Sequence, residues 1–275
     1  MPHLLADLIV PRGAVAIHWF EQSSFAIKDQ AGTIVQIDPY FPQSRPPERF
    51  IHPLPPLDED ELPTDYVLLT HDHSDHTWPE SLERIRQAFP KAQFVGPPES
   101  VQRMQAETSI EANQMITIEA GESVALGSMR VHAVYAKPPD GDPGAGIQPT
   151  DVTHLGYLLE VGGRTLYFSG DPIHTFPDID ELVAAVAAFQ PEIGFLTMHP
   201  SEGEFPFFDG SLRMAQRIGL KRAVPAHRAC FVKRDYDPTA WAALFPPGEP
   251  KPLIIERNTH IVYPETVQEL PTVSG

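Results

Sequence analysis

The amino-acid sequence predicts an α/β fold, because short apolar runs alternate with segments of helical periodicity along the chain. The run Tyr66-Val67-Leu68-Leu69 is one example, and the segment 79–89 that follows it has proline at its start and apolar residues every three or four positions. The chain has 275 residues, 41% of them hydrophobic, which suits one large α/β domain or two small ones. Since no repeat of fixed period and no linker is found, we predict a single domain over residues 1–275.

Three strands are predicted before residue 40, at residues 14–20, 24–27 and 33–37. The third strand ends at Asp38, which a proline follows. A carboxylate at the end of a strand is well placed to enter a central site. The alternative is that Asp38 only caps the loop.

The middle of the chain continues the alternation of strands and helices. A stretch rich in proline and acidic residues, 41–64, predicts a long loop beside the entrance of a site. The elements predicted after it are the strand 66–69, the helix 79–89, the strand 93–96, the helix 98–107 and the strands 115–118 and 129–135.

A second long loop, residues 136–152, precedes the last third of the chain, and its glycines do not form a phosphate-binding pattern. The elements predicted after it are a hairpin of strands 155–161 and 165–169, the helix 180–189, the strand 193–198, the helix 209–218 with Asp209 as its cap, the strand 223–225 and a final strand pair near 253–263.

The composition excludes several kinds of site and partner. The formal net charge of -17 disfavours long nucleic acids and anionic membranes, because both carry negative charge. Cys230 is the single cysteine, so neither an intramolecular disulfide nor a cysteine-based zinc site is possible. The N-terminal residues lack a basic region followed by a long apolar region, so we expect no signal peptide and a cytoplasmic protein. A homo-oligomer is compatible with the sequence.

The most informative stretch runs from Thr70 to Thr77, where three histidines and two aspartates fall within six consecutive residues. The apolar run before it and the helix after it place the stretch in a loop that leaves a buried strand. Imidazole nitrogens and carboxylate oxygens are ligands that Zn²⁺, Mn²⁺ and Fe²⁺ accept. His71 and His73, two residues apart, can face one point, and Asp75 and His76 can face a second point nearby.

Further metal-competent side chains also follow predicted strands. In an α/β protein, strand ends on one edge of a sheet converge on one cleft. We therefore expect the following residues to meet there: Asp38, His71, Asp171, His199 and His227.

The His-x-His-x-Asp-His motif at 71–76, Gly170-Asp171 after a hairpin strand and His227 after a short strand together resemble the metallo-β-lactamase superfamily. The order of these residues fits along the whole chain. A narrower likeness is to the branch that holds L-ascorbate-6-phosphate lactonase, and it lies in motif 70–76, Phe94-Val95-Gly96-Pro97, Gly156-Tyr157-Leu158-Leu159-Glu160, Tyr167-Phe168-Ser169-Gly170-Asp171 and Val224-Pro225-Ala226-His227. The resemblance implies a four-layer αββα sandwich with the site at one sheet edge.

The resemblance also implies ligands for two divalent ions, Zn²⁺ or Mn²⁺, with Fe²⁺ as a further choice. His71 and His73 would bind the first ion, and Asp38 would orient a ligand histidine from behind. The remaining ligands implied are Asp75, His76 and His227 for the second ion and Asp171 as the bridge between the two ions.

His154 is the candidate for a further ligand of the first ion, which the superfamily usually supplies before the Gly-Asp hairpin. The alternative is a histidine packed at a strand start. In that case water or an aspartate would complete the site, with Asp140, Asp142 and Asp151 as the choices.

The implied function is that of a metal-dependent hydrolase in which a metal-activated hydroxide attacks a small lactone or ester, with or without a phosphate group. Asp75 would assist as proton acceptor, and His199 would contact substrate or donate a proton. The alternatives are a phosphodiesterase of the same fold and a metal-binding protein without activity. His174 is a weaker candidate for substrate contact. Arg228 is expected to meet an anionic substrate group or to form a surface salt bridge.

Overall fold

Two mixed β-sheets form the centre of the protein, which a computed structural model describes from residue 3 to residue 264. The strands, in chain order, are β1 (Val15–Glu21), β2 (Ser24–Lys28), β3 (Ile34–Ile37), β4 (Tyr66–Leu68), β5 (Gln93–Gly96), β6 (Met115–Thr117), β7 (Ser123–Leu126), β8 (Met129–Lys137), β9 (His154–Val161), β10 (Arg164–Phe168), β11 (Ile193–Thr197), β12 (Arg222–Ala226), β13 (Lys251–Pro252) and β14 (Thr259–Tyr263).

Each sheet has seven strands, and each is antiparallel on one side and parallel on the other. The strand order is β14-β1-β2-β3-β4-β5-β6 in the first sheet and β13-β12-β11-β10-β9-β8-β7 in the second. The parallel parts run from β3 to β6 and from β10 to β13. The carboxyl ends of parallel strands share one edge of a sheet, so this arrangement places the loops after β3, β4, β10, β11 and β12 where a common site can form.

Helices cover the outer faces of both sheets. They are α1 (Leu4–Asp7), α2 (Pro79–Ala88), α3 (Pro98–Glu107), α4 (Asp180–Ala187), α5 (Phe208–Ile218) and α6 (Pro238–Ala242). Proline occupies the first turn of both α2 and α3, where its missing N–H costs no hydrogen bond. The helix α5 ends at Gly219, which has a φ of 83° and so adopts the left-handed conformation that glycine accommodates best.

Three hydrophobic layers bury these faces. The central layer joins the two sheets, and Phe25 of the first sheet lies 4.7 Å from Phe195 of the second, measured between ring centroids. Helices α2 and α3 pack Leu82 and Met104 on the first sheet, whereas α4, α5 and α6 pack on the second sheet. The αββα sandwich expected from the resemblance is thereby confirmed.

Two expectations about the elements were wrong, and one strand was missed. Residues 253–263 do not form a strand pair, because β13 joins β12 in the second sheet and β14 returns to β1 in the first. Asp209 lies in the first turn of α5 and Phe207 holds the cap position. The strand β7 was not predicted, because its four residues between two glycine turns are too short for periodicity to show.

The predicted single domain over residues 1–275 stays a prediction, and its residues 1–2 and 265–275 lie outside the described part. No helix within residues 3–264 is long and apolar enough to cross a lipid bilayer. The cytoplasmic location and the homo-oligomer also stay predictions.

Candidate metal centre

The residues expected at strand ends lie together at one edge of the two sheets. Asp38 follows β3, and the 71–76 loop follows β4 closely. Asp171, His199 and His227 follow the parallel strands β10, β11 and β12. His154 opens β9, which is antiparallel to β10, so the start of β9 lies at the same edge as the end of β10.

A first group of three histidines could hold a metal ion: His71, His73 and His154. The Nε2 atom of His71 lies 3.1 Å from the Nδ1 atom of His73. The ring of His154 stacks on that of His71, with 4.3 Å between the centroids. On its outer side, His73 Nε2 lies 3.0 Å from an Asp151 carboxylate oxygen. His73 thus turns Nδ1 inward, and the second Asp151 oxygen lies 3.8 Å from His154 Nε2.

A second group could hold another ion: Asp75, His76 and His227. The Nε2 atoms of His76 and His227 are 3.1 Å apart, and His227 Nε2 is 3.6 Å from the Asp75 Oδ2 atom. Asp171 lies between the groups, because its oxygens are 3.8 Å from His71 Nε2, 3.6 Å from His76 Nε2 and 3.4 Å from His227 Nε2.

These separations fit metal ligation. Two nitrogens bound to one Zn²⁺ at tetrahedral angles lie about 3.3 Å apart, given zinc–nitrogen bonds of about 2.05 Å. Three polar atoms of these residues are also buried and have no hydrogen-bond partner among the described residues: Asp171 Oδ1, His154 Nδ1 and His154 Nε2. Buried polar atoms normally have a partner, so this donor set fits divalent cations.

Contacts on the outer side of the histidines fix which nitrogen faces inward. Thr70 Oγ1 lies 3.0 Å from His71 Nδ1, and the Asp38 carboxylate accepts a hydrogen bond from His76 Nδ1 at 2.8 Å. Asp38 also accepts hydrogen bonds from the Thr70 backbone N–H and hydroxyl at 2.8 and 2.7 Å. The orienting contact expected of Asp38 is therefore present, whereas the part of Thr70 was not foreseen.

His199 makes the equivalent contact to His227. Its Nε2 atom hydrogen-bonds with His227 Nδ1, which leaves His227 Nε2 facing the centre. His199 is only 2% exposed. This position favours orientation of His227 over direct contact with a substrate.

Burial and mutual interaction set the protonation of the cluster. Burial, followed by the nearby His76 and His154, holds the pKa of His71 well below its ordinary value. Burial also lowers the pKa of His154 to about 4. Burial acts against charge on Asp171, but His227 and His76 outweigh it and hold its pKa well below the usual range. The neutral His71 and His154 imidazoles beside the ionised Asp171 are in the forms that bind metal ions. At His76 burial opposes charge, but Asp171 and Asp38 outweigh it and hold the pKa well above the ordinary value, so an ion that binds there must displace a proton.

Backbone strain is concentrated at this edge. Gln22, Asp38 and His227 have φ values of 56°, 44° and 58°, in the left-handed region that non-glycine residues rarely adopt. Such strain persists only where the surrounding structure enforces it, and it is common at functional sites.

Two of the weaker candidates lie outside the centre. Arg228 is buried and places its guanidinium 4.0 Å from the Trp19 ring centroid, so both expectations for it were wrong. His174 instead hydrogen-bonds with Glu202 through Nδ1 at 3.1 Å.

A cavity of about 410 Å³ opens beside the second group. Asp75 and Ser74 of the metal-binding loop form one wall, and Phe231 forms another. Five charged residues complete the lining: Glu48, Arg49, Glu204, Lys233 and Arg234.

Known proteins provide an independent comparison. The family model described as Beta-lactamase superfamily domain matches residues 33–228, well over half of the chain. A UPF0173 metal-dependent hydrolase of Myxococcus xanthus is 26% identical over 272 residues, which cover 94% of this chain and 84% of that protein. A probable L-ascorbate-6-phosphate lactonase of Salmonella heidelberg is 24% identical over 189 residues, which cover 63% of this chain and 51% of that protein.

Among solved structures, the chain is similar to an isothiocyanate hydrolase from Delia radicum gut bacteria. The TM-score is 0.68 at 19% identity, and the match covers 90% of this chain and 98% of that one. At this identity the likeness supports the fold.

Proposed function

The chain belongs to the metallo-β-lactamase superfamily and is a metal-dependent hydrolase of that superfamily, and from this premise we propose that it hydrolyses a small lactone or ester, phosphorylated ones included. The observation that carries the proposal is the convergence of three imidazole Nε2 atoms on the Asp171 carboxylate. Those nitrogens belong to His71, His76 and His227.

The proposed ligands form two overlapping sets around Asp171. Each set combines imidazole nitrogens with a carboxylate, and neither set includes a cysteine. Zn²⁺, Mn²⁺ and Fe²⁺ therefore all suit the site. The proposed ligands are His71, His73 and His154 for the first ion, Asp75, His76 and His227 for the second, and Asp171 for both.

The chemistry requires the ions and a proton acceptor. When bound, two divalent cations polarise the group to be cleaved and lower the pKa of water at the site, so that hydroxide is available near neutral pH. The Asp75 carboxylate borders the cavity, and we propose that it accepts a proton from the attacking water. Thr70 and Asp38 keep the inward nitrogens of His71 and His76 aimed at the ions.

For His199 we propose a positioning role. Its ring holds His227 through Nδ1, and burial together with His227 lowers the pKa of His199 to about 3. A neutral imidazole can still orient a neighbour by a hydrogen bond, and His199 is not among the residues that line the cavity.

The cavity supports a small substrate that carries a negative charge. Arg234 is engaged by Asp75 at 3.2 Å and by Glu204 at 3.4 Å. Arg49 and Lys233 also line the cavity, and neither forms an ion pair within residues 3–264. Glu48 is the lining carboxylate without an ion pair within residues 3–264, so Arg49 and Lys233 leave an excess of one positive charge among the unpaired lining groups. In a chain of net charge -17 this excess favours a phosphate or carboxylate group on the substrate.

A substrate panel tests the proposed class. Purified protein loaded with Zn²⁺ or Mn²⁺ is expected to hydrolyse sugar lactones and simple esters, with phosphorylated lactones the best. The panel includes bis(p-nitrophenyl) phosphate, because Arg49 and Lys233 suit a phosphodiester as well. If only the phosphodiester is hydrolysed, the protein is a phosphodiesterase and the lactonase proposal is wrong.

Metal analysis tests the proposed ligands separately from activity. Wild-type protein should bind about two divalent ions per chain, and Asp171→Ala should lose at least one ion and nearly all hydrolysis. Asp178→Ala is the control, because that carboxylate pairs with Arg213 on the surface. Wild-type ion content in Asp171→Ala would contradict the bridging role.

A further inference from the structure

Gln22 directly follows β1 and has a backbone conformation that residues other than glycine rarely adopt. The residue is 1% exposed and has a φ of 56°. Glycine or asparagine adopts this left-handed backbone conformation with less strain than glutamine. The backbone conformation therefore does not account for glutamine at this position, and the contacts of the side chain are the remaining reason for it.

The backbone of Gln22 is fixed on both sides by the loop that carries His227. Its N–H donates to the Arg228 carbonyl at 2.9 Å, and its carbonyl accepts from the His227 N–H at 2.9 Å. The Trp19 indole N–H donates to the same carbonyl at 3.0 Å. These bonds use only main-chain atoms of Gln22, so another residue at position 22 would keep them.

The side-chain amide reaches the second group of candidate ligands. Its Nε2 atom donates to Asp75 Oδ2 at 2.6 Å and lies 3.0 Å from His227 Nε2. Those two atoms are 3.6 Å apart, so the amide spans the gap between two proposed ligands of one ion. The amide is neutral, so its hydrogen bond orients the Asp75 carboxylate without adding charge to the site.

We propose that Gln22 is a positioning residue of the second metal subsite: its amide donates to Asp75 Oδ2 and so orients this carboxylate beside His227, whose Nε2 lone pair is left to the ion when one binds, and thereby sets the affinity for the second ion. The inference rests on the proposed function, since it takes Asp75 and His227 as ligands. Loss of a side chain that orients metal ligands typically lowers metal affinity by about 10- to 100-fold.

The test compares two glutamines that share the strained conformation. Gln190 has a φ of 49° and is exposed at the end of α4, on the part of the surface that includes Glu160 and Phe189. Gln22→Gly and Gln190→Gly both relieve backbone strain at a positive φ. Gln22→Gly also removes a buried side chain, so the thermal midpoint of the metal-free protein is measured for both variants beside the ion affinities. Gln22→Asn keeps an amide and tolerates the backbone conformation, but it is too short by one methylene to reach Asp75.

Stepwise calorimetric titration with Zn²⁺ or Mn²⁺ gives the affinity of each ion. We expect Gln22→Gly and Gln22→Asn to bind the second ion about 10- to 100-fold more weakly, with the first ion unchanged and with kcat reduced more than KM is raised. Gln190→Gly should match the wild type.

Two results would overturn the inference in distinguishable ways. If Gln22→Gly and Gln22→Asn both bind the two ions with wild-type affinity, the proposed role of Gln22 is wrong, whether or not their thermal stability falls. The two-ion function would not be affected by that result. A wild-type protein that binds fewer than two ions would overturn the proposed two-ion function and the role of Gln22 with it.

Discussion

Asp38 accepts a hydrogen bond from His76 Nδ1 at 2.8 Å, in a site where both side chains are fully buried. The bond leaves His76 Nε2 directed at Asp171 and His227. Burial opposes charge on His76, but Asp171 and Asp38 outweigh it and hold its pKa well above the ordinary value. In this way a residue at the end of β3 controls a candidate ligand that follows β4.

Replacement of Asp38 by asparagine should weaken the second subsite. An amide oxygen is a poorer acceptor than a carboxylate, so Asp38→Asn should lower the affinity for the second ion by about 10- to 100-fold. Asp65→Asn is the control, because Asp65 Oδ2 accepts from the Ile34 N–H at 2.8 Å, at the start of the same strand. If calorimetry finds equal ion affinities in both variants, Asp38 does not orient His76 for binding.

Replacement of His199 separates orientation from substrate contact. His199→Leu should reduce the affinity for the second ion while KM changes little, because His227 loses the partner of its Nδ1 atom. His132→Leu, a change on β8 beside Glu160, serves as the control. A large rise in KM with normal ion content would instead support the substrate contact predicted from the sequence.

His154 should be required for the first ion. Both of its ring nitrogens are buried without a hydrogen-bond partner, so His154→Ala should lose one ion per chain and most hydrolysis. Asp151→Asn tests the alternative ligand, and a smaller effect is expected because Asp151 contacts the outer nitrogen of His73. Unchanged ion content in His154→Ala would make it a structural residue.

Arg49 and Lys233 should affect substrate binding more than the chemical step. Arg49→Gln and Lys233→Gln are each expected to raise KM for a phosphorylated substrate about tenfold, the size of one charge-assisted hydrogen bond, with kcat nearly unchanged. Uncharged lactones should show no such rise. Lys221→Gln is the control, since Lys221 pairs with Glu192, away from the cavity. If the variants change KM equally for charged and uncharged substrates, the substrate does not need an anionic group.

The stability of the fold should depend on pH through His18. Burial, then the neighbouring His3, lowers the pKa of His18 to about 3 from 6.5. Between these values the unfolded chain binds a proton that the folded chain does not, so the free energy of unfolding should fall as the pH is lowered through this window. One proton contributes at most about 1.4 kcal/mol per pH unit. His18→Gln should flatten the dependence in urea unfolding from pH 6.5 to pH 4, and an unchanged slope would contradict this.

The sequence predicted the α/β class and the starts of α2 and α3, because proline and apolar periodicity act over a few residues. It also predicted which side chains meet at the sheet edge, because parallel strands place their carboxyl ends together. It did not separate β13 from β14, since strand pairing over long distances depends on which face each strand buries. The burial of Arg228 on Trp19 was missed for a similar reason: the two residues are more than 200 positions apart.

The sequence by itself therefore determined the candidate ligands and their order along two sheets. Only the tertiary structure decided which nitrogen of His76 and His227 faces inward, because Asp38 and His199 reach their Nδ1 atoms from separate loops. It also placed Gln22 between Asp75 and His227. A glutamine in a strand turn has no periodicity or spacing that marks it, so its place in the site depends on the pairing of distant segments.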